Sequence, residues 1–178
     1  RQYRKPLVIM TPKSLLRHKM AVSSKKDFLS GSSFHRILWD DAQIGISPMK
    51  LLPDNEIKKV VICSGKVYFD ILQERDKRLI NNVYLMRIEQ FYPFPAMSLT
   101  KELSRFKNAA ITWCQEEPKN QGAWSFMEPN LEWLLGRIET KAKRASYTGR
   151  TASASPATGL AAQHKSQQEK LIDEALNF

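Results

Sequence analysis

Val60-Val61-Ile62-Cys63-Ser64-Gly65-Lys66-Val67-Tyr68 decides the fold class. Its first four residues form a continuous apolar run, the pattern of a strand covered on both faces. Ser64-Gly65 breaks the run, and Val67, Tyr68, Ile71 and Leu72 then recur at helical spacing. A buried strand that turns directly into an amphipathic helix is the first half of a βαβ unit, in which the next strand returns parallel to the first.

Towards the C-terminus the alternation continues. Val83-Tyr84-Leu85-Met86 with Ile88 predicts the next strand, stopped by Pro93 and Pro95. Residues 96–106 predict a helix with Leu99, Leu103 and Phe106 on one side. Residues 109–114 predict a further strand that stops at the sheet edge, so that Gln115-Glu116-Glu117-Pro118 reads as a rigid turn. A helix is expected over about 124–135, interrupted at Pro129 because proline lacks the N–H that the ladder needs. Ser146-Tyr147 marks a short strand, and residues 163–176 a helix with Leu171, Ile172, Ala175 and Leu176 on a single face. Strand and helix in turn imply an α/β fold with a mostly parallel sheet covered on both sides.

Towards the N-terminus the pattern is less regular. Leu7-Val8-Ile9-Met10 after Pro6 predicts a short buried or edge strand. Thr11 is expected to cap a short helix with Pro12 at its first position. Residues 21–33 are serine-rich and read as a connector, 34–39 as a lead-in strand, and 40–56 (Asp40, Asp41, Gly45, Pro48, Pro53) as loop.

At 178 residues the chain can bury one sizeable core. With 42% hydrophobic and 26% charged residues it has an ordinary globular composition, and no apolar run approaches the roughly 20 residues that span a bilayer. No signal peptide is expected, and the missing initiator Met suggests a piece cut from a longer polypeptide. Cys63 and Cys114 each close an apolar strand-like run and read as reduced core thiols. The net charge of +10 is concentrated at one end. Of the 28 Lys and Arg residues eight precede Asp27, so the remaining 20 nearly balance the 18 acids. A basic arm of this kind suits nucleic acid or anionic lipid, but its apolar interruptions suit docking against another part of the protein better. Lys13 and Arg17 in that arm are candidates for such an interface or for an effector.

Several motifs hold chemistry-bearing residues. Ser64-Gly65-Lys66 lies at a strand-to-helix turn, where free N–H groups favour an anion that Lys66 would help to hold. A tight turn needing glycine explains the same residues. Arg87-Ile88-Glu89-Gln90 ends a strand; it reads either as an ion pair plus turn or as side chains, Gln90 among them, that reach a neighbouring subunit. Glu116 and Glu117 are adjacent, so on an extended chain they point to opposite sides and do not make a general acid–base pair. With Asn120, Gln121 and Trp124 they suit a domain or subunit junction. Arg150, in Gly149-Arg150-Thr151-Ala152-Ser153-Ala154-Ser155-Pro156, would hold a phosphate or carboxylate, or tie its loop to Glu116 or Glu117. His18, His35 and His164 are isolated from further metal-ligand residue types, so no metal site and no catalytic set is predicted.

Ser64-Gly65-Lys66-Val67-Tyr68, Arg87 to Pro95, Gln115 to Trp124, Gly149 to Pro156 and Thr11-Pro12-Lys13-Ser14-Leu15-Leu16-Arg17 together resemble the C-terminal end of a known family. It is the thiamine-diphosphate-dependent dehydrogenase component of the 2-oxoglutarate dehydrogenase complex, and the likeness covers nearly the whole chain. The resemblance implies a three-layer α/β/α sandwich like the C-terminal domain of transketolase-like enzymes, over residues 57–178. Residues 1–20 would then end the preceding aminopyrimidine-binding domain, with 21–56 as linker and lead-in strand. It implies oxidative decarboxylation of 2-oxoglutarate and transfer of succinyl to a lipoyl group. Thiamine diphosphate and magnesium would serve the full-length enzyme, with no cofactor in this piece. The implied partners are a second copy in a homodimer, the lipoyl-bearing dihydrolipoamide succinyltransferase and dihydrolipoamide dehydrogenase, with neither nucleic acid nor membrane. The implied compartment is the cytoplasm in a bacterium or the mitochondrial matrix in a eukaryote. In some relatives acetyl-CoA acts allosterically here; Gln90 matches that site, but Ala96-Met97-Ser98 lacks its arginines. The rival readings are a stand-alone nucleotide-effector or nucleic-acid-binding module, and the same fold in a 2-oxoadipate dehydrogenase.

Overall fold

The computed structural model describes residues 3–178; Arg1 and Gln2, and with them the first charge of the basic arm, lie outside the described residues. The chain divides into two compact units, one ending at Ser33 and one over Phe34–Phe178.

In the larger unit the elements are β1 (Ile37–Leu38), β2 (Lys59–Cys63), α1 (Val67–Lys77), β3 (Val83–Ile88), α2 (Ala96–Leu103), β4 (Ala110–Pro118), α3 (Trp124–Leu135), β5 (Ser146–Arg150) and α4 (Ala161–Leu176). The sheet order is β1-β3-β2-β4-β5. β1 is an antiparallel edge on β3, and the other neighbours are parallel. From β2 the chain steps to β3 and then crosses back over β2 to β4. Right-handed crossovers in opposite directions place α1 on one face and α2 and α3 on the other.

Side-chain alternation fills both layers. Val60, Ile62, Tyr84, Met86, Ile111 and Trp113 pack with Leu99, Leu103, Met127 and Leu131 in one core. The alternate positions Val61, Cys63, Leu85 and Cys114 are equally buried, and α1 and α4 cover that face, packed against β3, β4 and each other. The expected α/β/α sandwich is therefore present, and Cys63 and Cys114 are free buried thiols, as expected.

Several boundaries differ from those the sequence predicts. β1 has only two residues, because it pairs on one side with β3 alone. α2 ends at Leu103, although Phe106 just beyond it is fully buried. β4 runs on to Pro118, so Glu116 and Glu117 lie on a strand and not in a turn. β5 supplies the partner that extends the ladder, with Pro118 opposite Arg150 across an irregularity. α3 continues through Pro129 without a break. The Asn130 side chain donates to the Phe126 carbonyl at 2.7 Å, adding a bond within the disturbed turn.

The stretch 40–47 looks like free loop but is tied down. Asp40 and Arg75 form an ion pair with both side chains 0% exposed. The Asp40 carboxylate also accepts from the Leu85 N–H at 2.7 Å and from the Ala42 N–H at 2.9 Å. The Asp41 N–H donates to the Tyr68 hydroxyl at 3.1 Å.

The smaller unit holds two 3-10 turns, Lys13–Leu15 and Lys25–Phe28, with no buried residue in either. Ser24 and Asp27 cap the second reciprocally. The strand expected at residues 7–10 is absent, and these side chains are exposed. A strand needs a partner ladder for its N–H and C=O groups, and the described residues of this unit contain no strand to provide one. Thr11 does not cap; Pro12 occupies the position before the turn and makes no side-chain bond.

Candidate functional site

In an open α/β sheet, ligand crevices form outside the carboxyl ends of strands where the strand order reverses. That point here lies between β2 and β4. The turn after β2 depends on Gly65, which has φ of +72°, a backbone conformation that side chains other than glycine rarely adopt. Lys66 follows at the N-cap of α1. Its Nζ lies 3.0 Å from Glu116 Oε1 on the extension of β4, and it also pairs with Asp70 one helical turn on. Burial pulls the Lys66 ammonium pKa down, but the hydrogen bonds it donates to Asp70 and Glu116 outweigh it and leave the pKa raised. Lys66 is thus engaged by two carboxylates of its own lobe, and the tight-turn reading of Ser64-Gly65-Lys66 is the one the geometry supports.

Gln168 of α4 closes this cluster. Its Nε2 donates to Asp70 and to Glu116, both at 2.9 Å, and its Oε1 accepts from Arg150 Nη2 at 3.1 Å. Arg150 Nη2 also lies 3.1 Å from His164 Nδ1. The direct tie between Arg150 and Glu116 or Glu117 does not form: Lys66 already occupies Glu116, and Gln168 stands between. Glu117 is exposed while Glu116 is half-buried, so the two carboxylates do diverge, as alternation on a strand requires.

The turn between β4 and α3 is organised by Gln115, which the sequence reading passed over. Its Oε1 accepts from Trp113 Nε1 at 2.9 Å and from the Trp124 N–H at 3.0 Å. Its Nε2 donates to the carbonyls of Pro118 at 3.1 Å and Gln121 at 2.7 Å. The available signal was a long polar side chain at the end of an unbroken buried run. Asn120 and Gln121 each donate to the Ser153 carbonyl at 3.0 Å, and the Ser153 N–H donates back to Asn120. They join this turn to the loop after β5. Trp124 is 5% exposed and its ring sits 5.3 Å from that of Tyr147. Its indole is large and apolar, and within the lobe it packs into the core beside Met127 and Leu131.

Gln90 donates to the carbonyl of Pro93 at 3.1 Å and braces its own turn. Arg87 and Glu89 form the ion pair that was one of the two expectations for that motif, and the Arg87 guanidinium lies 4.8 Å from the Tyr68 ring centre. Lys13 and Arg17 are exposed in the smaller unit.

Among the described residues no three His, Cys, Asp or Glu side chains converge as a metal ligand set, and no helix is long and apolar enough to cross a membrane. Carboxylates, lysine and amides are turned on one another, an arrangement that fixes loops.

Residues 22–176 match the family described as 2-oxoglutarate dehydrogenase C-terminal. The chain is 57% identical over 177 residues to the 2-oxoglutarate dehydrogenase E1 component of Brucella anthropi, covering 99% of this chain and 18% of that relative. The proteins of the same name from Brucella ovis and Brucella canis are each 56% identical over 177 residues with the same coverage. The chain thus spans 18% of the length of these curated relatives.

Proposed function

The chain belongs to the 2-oxoglutarate dehydrogenase C-terminal family, and on that premise we propose that it is the terminal lobe of a 2-oxoglutarate dehydrogenase first component. The observation that carries this reading is 57% identity over 99% of the chain. In that enzyme 2-oxoglutarate is oxidatively decarboxylated and its succinyl group passes to a lipoyl group. Thiamine diphosphate with magnesium supplies the carbanion chemistry when bound. The described residues offer no converging ligand set for the magnesium-diphosphate end, so on this proposal the coenzyme is held by preceding domains.

The lobe supports the enzyme by holding a rigid edge. Lys66, Glu116, Asp70, Gln168 and Arg150 lock the carboxyl ends of β2, β4 and β5 to α4, and Gln115 locks the turn into α3. Residues 1–20 end the preceding aminopyrimidine-binding domain and 21–56 lead in from it. The exposed basic and apolar groups of residues 3–20 dock there. The enzyme is a homodimer that works with the lipoyl-bearing succinyltransferase and dihydrolipoamide dehydrogenase. The bacterial relatives favour a cytoplasmic setting.

Two assays test the reading together. The complete polypeptide containing this chain, reconstituted with the two other components, is expected to form NADH from 2-oxoglutarate and to elute as a dimer. The 178-residue chain alone is expected to form none. No 2-oxoglutarate turnover by the complete polypeptide would refute the assignment, and turnover by the isolated lobe would refute its supporting role. Faster turnover of 2-oxoadipate would move the assignment to that substrate.

A further inference from the structure

We propose that a cavity beside β5 and α4 binds a small oxyanion that also carries a hydroxyl group. The cavity has a volume of about 350 Å³ and is lined by, among others, Pro118, Arg150, Thr158 and Gln167. Pockets that hold small molecules begin at roughly this size.

Three buried side-chain atoms among the described residues have no hydrogen-bond partner: Arg150 Nε, Thr158 Oγ1 and Gln167 Oε1. All three belong to residues lining this one cavity. Buried polar atoms are nearly always partnered, because an unmade bond costs the group its hydration with nothing in return. Three such atoms at one place mark a site whose partners come from outside the lobe.

Their chemistry defines the ligand. The Arg150 guanidinium contacts His164 Nδ1 and Gln168 Oε1, and among the described residues no carboxylate pairs with it. Its charge is unmatched and its Nε–H is free, the condition in which arginine takes a carboxylate or phosphate oxygen. The Thr158 hydroxyl supplies a second donor. Gln167 Oε1 is an acceptor, which an oxyanion would avoid and a ligand hydroxyl would satisfy. A hydroxylated phosphate ester and a hydroxy acid share this combination.

Isothermal titration of the complete polypeptide with glycerol 3-phosphate, and separately with malate, decides between those two sources. Propyl phosphate, which lacks the free hydroxyls, is the reference. Saturable heat with at least one hydroxylated ligand is expected, weakened roughly tenfold or more by Arg150→Gln, as for loss of a charge-assisted bond. Thr158→Val, in an exposed loop and close to isosteric, should also weaken it without unfolding the lobe. Gln167→Leu should abolish the preference over propyl phosphate. No saturable heat with either ligand, or binding indifferent to all three substitutions, would overturn the proposal. The readout is heat, so it is independent of whether the polypeptide turns over 2-oxoglutarate.

Discussion

Removing the Arg75 side chain leaves the Asp40 carboxylate in a site from which water is excluded, since both partners are 0% exposed. An orphaned buried charge costs far more than the pair itself contributes. Arg75→Ala should therefore lower stability by about 3–5 kcal/mol in urea denaturation. Asp40→Asn combined with Arg75→Met should recover part of that loss, because the amide oxygen still accepts from the Leu85 N–H while no charge is buried; an unshifted midpoint in Arg75→Ala would contradict the argument. The two thiols set a second expectation. Burial raises the Cys63 pKa well above its ordinary value of 9.0 and the Cys114 pKa to about 12. Burial likewise raises the hydroxyl pKa values of Tyr68, Tyr84 and Tyr147. An unfolded thiol or phenol releases its proton at ordinary pH values while the folded one keeps it, so the native state binds more protons and stability falls as pH rises. The stabilisation is fully present below the ordinary thiol value and is lost progressively towards about 12. Lys59, whose pKa burial lowers from 10.5, works the other way but is a single group. Urea midpoints should drop between about pH 8.5 and 10.5, and the slope should flatten when both cysteines are replaced by alanine.

At the scale of elements, the decisive feature is how β4 runs past β2 and then turns into α3. Five polar groups from that segment converge on the Gln115 amide. Gln115→Leu leaves buried donors and acceptors unpaired and should cost about 3 kcal/mol, measured by the urea midpoint. Gln115→Glu should not rescue it, because a carboxylate cannot donate to the carbonyls of Pro118 and Gln121. A midpoint within experimental error of the parent in either variant would show that the turn is held by something else. β5 approaches β4 closely at Gly149. A Cβ there would lie 2.6 Å from the Gln115 carbonyl oxygen and 2.5 Å from Tyr147 Oη. Gly149→Ala should thus push β5 off β4 and cost roughly 1–3 kcal/mol, as other overpacked sites do. The same shift would disturb Arg150, the next residue.

On the scale of the whole molecule, the buried hydrophobic side chains among the described residues all lie from Ile37 onward. A chain begun at Phe34 contains the complete five-stranded sheet and its helices. It should fold cooperatively, with a melting temperature within about 4 °C of the full chain, a shift worth about 1 kcal/mol at this size. A non-cooperative melt would show that residues before Phe34 contribute to the core. The sequence by itself determined the sandwich, because strands covered on both faces read as unbroken apolar runs and helices as periodic ones. It also determined the family, through motifs in a fixed order. It could not show that residues 7–10 lack a strand, since an apolar run pairs only if another strand is present. Nor could it show how far β4 extends, because that depended on a partner arriving more than thirty residues later. Tertiary structure alone decided which charges meet. Lys66 meets Asp70 within one turn of α1, but that pair reaches Glu116, Arg150 and Gln168, all distant in the chain, only because parallel strands bring their carboxyl ends to a common edge against α4.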